Sequence, residues 1–189
     1  EICEIDKILK LSVDKKIDNA VVECSSHGLY LHRLGGIEFD VAVFNNLSIE
    51  HMNFHKNMEN YFNATMILLE NAKKKIVNAD DEYGRKAKAR FEDAYTFSLE
   101  NESDFKAENV ELIDGKMHFE IKNVKFVLNR FALFDVYNAV ASVAAVNLLG
   151  YELEDISKAL KSFRGVDSRL EFIQNDLGIN LVIDFAHTA

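Results

Sequence analysis

Glu23, Cys24, Ser25, Ser26 and His27 follow directly on an apolar run at 20–22, with Arg33 a little further on. A second apolar run at 41–44 leads into Asn45, Asn46, Ser48, Glu50, His51 and His55. A carboxylate such as Glu23 at the end of a strand can hold a hard cation such as Mg²⁺; a solvated loop acid is the plainer alternative. Ser25, Ser26 and His27 raise nucleophilic catalysis, but no G-x-S-x-G elbow surrounds them, and adjacency in sequence is not triad geometry. His51 and His55 have the four-residue spacing of zinc ligands, yet the glutamate of H-E-x-x-H and a third soft ligand are absent. His51 beside Glu50 suits the neighbourhood of Mg²⁺ or a phosphate better, with a capping or core histidine as the competing reading. Arg33 and Arg169 offer planar guanidinium forks for an anion. Asn138 lies in the otherwise apolar stretch 137–141, where a buried amide would need a partner such as the edge of a ligand base. No G-x-x-x-x-G-K-[ST] loop occurs to cradle nucleotide phosphates.

The elements that must position these groups alternate between helix and strand. Apolar spacing predicts an amphipathic helix over 2–15 packed on a sheet, then strands at 20–22 and 41–44 separated by a Gly35-Gly36 turn. Both strands are short continuous apolar runs, as expected where both faces of a parallel strand are covered. Asn57 is placed to cap a helix from 58 to about 73, closed by Lys73–Lys75. A strand at 76–77 ending in Asn78-Ala79-Asp80-Asp81, a helix over 83–89 and a strand at 94–97 continue the alternation. This implies right-handed crossovers and a mostly parallel sheet. Beyond Glu100 the pattern changes. Strands at 110–113, 117–121 and 124–128, separated by Asp114-Gly115 and Lys122-Asn123, read as a small appended antiparallel sheet. Helices follow over 134–149, stopped by Gly150, and over 152–163. Gly165-Val166-Asp167-Ser168 marks a boundary, after which 170–173 and 180–184 form a hairpin-like pair ending in Asp184-Phe185-Ala186-His187. The expected fold class is therefore α/β: a mostly parallel central sheet flanked by helices, with a small antiparallel sheet. Ligands of open α/β sheets bind outside the carboxyl ends of the strands, where both polar loops would lie.

The 189 residues are 48% apolar, enough for one domain with a real core, and the net charge of −9 argues against a general nucleic-acid binder. No apolar run approaches the roughly 20 residues of a bilayer span, and no secretory pattern opens the chain, which begins at Glu1. Cys3 and Cys24 are too few for a disulfide framework or a metal knuckle, so a reduced, cytoplasmic setting is expected. Proline is absent; turns rest on Gly, Asn and Asp.

The string VVECSSHGLYLHRLGGIEFDVAVFNNLSIEHMNFH resembles the E-V-S-S-H-x-L…R…F-D-V-x-x-F-T-N-L-x-x-D-H-L-D-F-H signature of the Mur ligases. VNADDEYG at 77–84, FDVYNAVASVAAV at 134–146 and GVDSRLEFI…VIDFAHT from 165 to 188 follow in the family's order. The resemblance implies most of the family's central ATPase domain at 1–164, incomplete for want of its N-terminal phosphate-binding loop. It also implies a linker and the first strands of a C-terminal Rossmann-like domain at 165–189. The implied chemistry is ATP-dependent amide ligation in peptidoglycan-precursor synthesis. ATP phosphorylates the D-glutamate carboxylate of a UDP-muramoyl dipeptide, and the amine of the third stem-peptide residue attacks the acyl phosphate. By the same resemblance Glu23 and His51 match Mg²⁺-site positions, and Ser25 and Arg33 match contacts to the UDP-muramoyl peptide. Asn138 matches a contact to adenine, and Arg169 and Asp184 match further nucleotide contacts. The fragment alone is expected to be inactive, and a monomer is favoured.

Several residues depart from the family pattern. Thr65 stands where the family has a lysine that is carbamylated to support a second Mg²⁺. Glu50 replaces an aspartate, Asn45 a threonine, and Asp135 the first asparagine of F-N-x-Y-N. Two alternatives stay open: a related amide-forming ligase such as a folylpolyglutamate or cyanophycin synthetase, and a non-catalytic paralogue that binds a UDP-muramoyl peptide or a protein partner.

Overall fold

The computed structural model describes residues 2–179 and 181–186, with side chains from 5 onward. After α1 (Ile2–Asp14) and α2 (Ser26–Tyr30), the chain lays down β1 (Phe39–Phe44), α3 (Met52–His55), α4 (Met58–Glu70) and β2 (Ala72–Asn78). Then come α5 (Glu82–Arg90), β3 (Tyr95–Ser98) and β4 (Phe105–Lys106). The strands form one sheet in the order β1-β2-β3-β4, parallel throughout, with Val43 opposite Ile76, Ile76 opposite Tyr95 and Phe97 opposite Phe105. Successive strand residues point to opposite faces. On β2, Ile76 enters one core and its neighbour Val77 the other, and both are fully buried.

One face of the sheet is covered by α4 and α5, whose Met66, Leu69 and Ala87 pack with Ala42, Phe44 and Val77. Asn57 caps α4 by accepting the amide of Asn60 at 2.8 Å, and Asp81 caps α5 by accepting that of Gly84 at 2.9 Å. The other face is covered by α6 (Leu133–Leu148), whose small residues Ala139, Ala141 and Ala144 let the helix lie close. Beside it stands the antiparallel sheet β5 (Glu108–Ile113), β6 (Lys116–Ile121) and β7 (Val124–Leu128). Both its turns have consecutive positive φ values, 50° and 74° at Asp114-Gly115 and 49° and 66° at Lys122-Asn123. These are the left-handed pairs that match hairpin twist. Helix α7 (Leu153–Lys161) closes the same core with Leu153 and Ile156. Among the described residues, the hairpin β8 (Glu171–Ile173) and β9 (Leu181–Ile183) contributes none to either core.

Four local expectations differ from the structure. Helix α1 forms, but its described side chains enter neither core, and Ile8, Leu11 and Val13 are exposed. Residues 20–22 form no strand and pair with no neighbour among the described residues, and Val21 is fully exposed. A three-residue apolar run becomes a strand only beside a hydrogen-bonding neighbour, and the sheet ends at β1. Lys73–Lys75 lie in β2, not at the end of α4, which stops at its cap Asn71. Ala72 and Ile76 face the interior, while Lys73 reaches Asp40 at 2.9 Å and Lys75 reaches Asp93 at 2.8 Å. The polar loops also carry two short helices, α2 and α3, that periodicity did not reveal. Asn180, His187, Thr188 and the side chain of Cys3 lie outside the described residues.

Candidate functional site

Chain segments far apart in sequence meet along α6. Asn138, Arg169 and Asp184 all line one groove of about 890 Å³, whose floor includes the apolar Val143, Val146, Ile156 and Leu160. Asn138 is exposed, so the premise of a buried amide demanding a partner does not hold; its carboxamide stands at the groove wall. The Arg169 guanidinium lies 5.4 Å from the centre of the Phe185 ring, and Asp184 accepts the amide of Phe185 at 2.7 Å. An apolar floor with a few convergent polar groups is the usual make-up of a small-molecule site.

A second group surrounds α2. Ser25 caps this helix, its hydroxyl accepting the amide of Gly28 at 3.2 Å. A Cβ on Gly28 would stand 3.2 Å from the Ser25 hydroxyl and 4.0 Å from Cδ of Arg33, so both side chains gather around this glycine. His27 meets His51 edge-on at 4.8 Å between ring centres and packs on Phe54 at 4.1 Å. His55 is buried, stacked on Tyr61 at 4.9 Å and hydrogen-bonded through Nε2 to the Ser26 hydroxyl at 2.9 Å. Burial, then the neighbouring His27 and His51, hold its pKa below the ordinary histidine value. His51 itself adopts a left-handed backbone, φ 58°, at the start of α3. Glu23 is exposed on the irregular segment before α2, and among the described residues no hydrogen bond or ion pair joins it to His51. Among the described residues no three His, Cys, Asp or Glu side chains converge as a metal cage. Thr65 turns its hydroxyl back onto its own helix, donating to the Tyr61 carbonyl at 3.0 Å.

Asp80, at the carboxyl end of β2, is a hub the sequence reading did not single out. Its carboxylate accepts the amides of Leu99, Glu100 and Asn101 at 2.6, 3.0 and 2.9 Å, the Asn101 side chain at 2.7 Å, and the Tyr137 hydroxyl at 3.0 Å. Burial opposes its ionisation, but the three amides together with the Asn101 side chain outweigh it and hold the carboxyl below its ordinary value. Burial, then this carboxylate, push the Tyr137 phenol up. Tyr137 immediately precedes Asn138, so the hub ties the groove-bearing helix to the sheet. Its signal in the sequence was the consecutive pair Asp80-Asp81 after a strand: one acid caps α5 and the other gathers a loop.

Residues 1–146 match the profile of the Mur ligase middle domain. The chain belongs to that family. A Clostridium botulinum protein named UDP-N-acetylmuramoyl-L-alanyl-D-glutamate–2,6-diaminopimelate ligase is 40% identical over 195 residues, covering all of this chain and 40% of the relative. The corresponding L-lysine ligase of Staphylococcus haemolyticus is 33% identical over 201 residues, covering all of this chain and 41% of the relative. The chain thus spans about 40% of the length of the curated relatives it matches. Among solved structures, a UDP-N-acetylmuramoyl-L-alanyl-D-glutamate–2,6-diaminopimelate ligase superposes with a TM-score of 0.70 at 24% identity, over 82% of this chain and 34% of the other. UDP-N-acetylmuramate-alanine ligase from Thermotoga maritima superposes with a TM-score of 0.67 at 24% identity, over 79% and 35%. At that identity the likeness establishes the shared Mur ligase fold. The profile match ends within α6, yet α7 packs on the same core through Leu153 and Ile156.

Proposed function

We propose that the whole protein is an ATP-dependent amide ligase of peptidoglycan-precursor synthesis, joining a diamino acid to UDP-muramoyl-L-alanyl-D-glutamate. Residues 1–164 supply its middle domain, and 165–189 a linker and the start of a further domain. The observation that carries this reading is the convergence of Asn138, Arg169 and Asp184 on one groove. Supporting it are the two relatives, one named for diaminopimelate and one for lysine. The groove takes the nucleotide: Asn138 reads the base edge, Asp184 accepts from a ribose hydroxyl, and Arg169 faces phosphate. Ser25 and Arg33 face the UDP-muramoyl acceptor, beside the histidine cluster.

Glu23 and His51 would hold Mg²⁺. An exposed carboxylate and an imidazole, with no closed cage around them, suit an ion that keeps most of its waters and takes substrate phosphates as further ligands. Bound there, Mg²⁺ supplies charge neutralisation for phosphoryl transfer. The γ-phosphoryl group passes from ATP to the acceptor carboxylate, releasing ADP. The incoming amine then bonds to the acyl carbon as the C–O bond to phosphate breaks. What these residues contribute is position and charge. The proposed setting, cytoplasmic, follows from the family the chain belongs to; separately, no described helix is long and apolar enough to cross a membrane.

The test is ADP release by the whole protein given ATP, Mg²⁺, UDP-muramoyl-L-alanyl-D-glutamate and either diaminopimelate or lysine. Turnover with one of them is expected, and none with either would sink the ligase reading. A second reading, a non-catalytic paralogue, draws on Thr65, whose side chain cannot be carbamylated and bonds its own helix. Acceptor binding without ADP release would favour it.

A further inference from the structure

Arg130 is buried, 9% exposed, and lies outside every element, between β7 and α6. Its guanidinium joins three segments at once. Nε donates to the Asp135 carboxylate in the first turn of α6 at 3.2 Å, Nη2 to the Arg169 carbonyl at 2.8 Å, and Nη1 to the Leu170 carbonyl at 3.3 Å. Its backbone is fixed as well, the carbonyl accepting the Met117 amide at 2.8 Å. The linker is shaped to receive it. Gly165 has φ +109°, and a Cβ there would stand 2.9 Å from Nη1. Ser168 and Leu170 take left-handed conformations at φ 61° and 46°, which residues other than glycine adopt at a cost and keep only when their surroundings impose them.

We propose that Arg130 is a positioning residue for the groove: with Asp135 it clamps the linker at 169–170 and so sets where the Arg169 side chain enters. Asp135 and Asn138 are three residues apart on α6 and share a face of that helix. The clamp therefore ties the linker to the same turn of helix that carries the base-reading amide. It also gives Asp135 a task. An asparagine there would leave a buried guanidinium without an opposite charge, whereas the aspartate neutralises it, with both side chains nearly buried at 9% and 13% exposure. The geometry is directional. A lysine offers a point charge and could not reach one carboxylate and two carbonyls in a single plane. The orientation of Arg169 towards a nucleotide rests on the reading of the groove given above.

The test uses the full 189-residue chain and the variants Arg130→Gln, Arg130→Lys and Asp135→Asn. In amide hydrogen exchange, both Arg130 variants should raise exchange at 166–173 at least tenfold while β2 and α4 keep theirs; Asp135→Asn should give a smaller rise confined to the same amides. Restoration of protection by Arg130→Lys would reduce the role to charge balance and overturn the clamp. Unchanged exchange at 166–173, or an equal rise throughout the chain, would overturn it too. Titration with ATP, followed by amide and side-chain NMR, tests the coupling. Wild type should show shifts at both Asn138 and Arg169, and Arg130→Gln should keep those at Asn138 and lose those at Arg169. Shifts retained at both in Arg130→Gln would overturn the positioning role. Absence of any shift in wild type would count against the nucleotide reading of the groove, with the clamp still decided by exchange.

Discussion

The Nε2 of His55 and the hydroxyl of Ser26 meet at 2.9 Å inside the protein, joining α3 to α2 across an intervening strand of sequence that includes all of β1. Both residues are buried, so neither has water as a ready substitute. Ser26→Ala leaves the imidazole nitrogen without its partner and should cost about 1–3 kcal/mol. Adding His55→Phe to that variant removes both polar groups, so the double change should cost less than the sum of the singles. Urea unfolding of the four proteins measures the coupling; strict additivity would mean that the hydrogen bond contributes nothing.

Gly84 is required by close approach. A Cβ at this position would stand 1.9 Å from the carbonyl oxygen of Asn78, a backbone atom that cannot swing away. Gly84→Ala should destabilise by about 1–3 kcal/mol, despite the better helix propensity of alanine. A thermal melt no lower than wild type would show that α5 can slide off the end of β2 without penalty.

Asp80 gives a pH dependence with a defined sign. Its carboxyl is held below the ordinary value in the folded chain, against about 3.9 in the unfolded one. The stabilisation is therefore fully present above the unfolded value and is lost as pH falls through the lower folded one. Asp80→Asn should cost about 2 kcal/mol near neutral pH, the range for bonds to a charged acceptor. The gap from wild type should narrow below about pH 4, where the unfolded aspartate protonates. Denaturant midpoints at neutral and acid pH would reveal this, and a gap that widens in acid would contradict it.

Two valines make a matched pair. Val21 is fully exposed and Val77 fully buried. Val21→Ser should change stability by less than about 0.5 kcal/mol, while Val77→Ala should cost about 2 kcal/mol through lost burial and the cavity left behind. A large loss at Val21 would mean that 20–22 is paired in solution after all.

These valines also mark what a sequence can and cannot convey. The runs at 20–22 and 41–44 look alike as strings, but pairing belongs to the neighbour, and β2 lies beside only one of them. The parallel sheet, the two hairpin turns and the Ala-rich helix were legible because each has a local cause: alternation, left-handed turn residues, small side chains on one face. Helices α2 and α3 were not, since one turn is shorter than any period. Of the groove residues, Asn138 and Arg169 were singled out by their own chemistry and Asp184 by the family resemblance alone, and no local pattern tells that the three share a wall. The roles of Arg130 and Asp80 were not legible because most of their partners are backbone groups 19 to 40 residues further along the chain, even though the Asp80-Asp81 pair itself could be seen.

The placement of the two cores on opposite sides of β2 has a consequence for how the molecule comes apart. Ile76 and Val77 belong to different cores yet share a peptide bond, so neither layer can loosen without baring the strand the other rests on. The sheet and its helices should open as one cooperative unit. The β8–β9 hairpin sits outside that bargain, held by the Arg130 bonds to the preceding carbonyls and by the ring contact of Phe131 with Phe172 at 5.4 Å. It should fray early, as should α1, whose described side chains also enter neither core, each detaching at a fraction of the global unfolding free energy while the sheet stays closed.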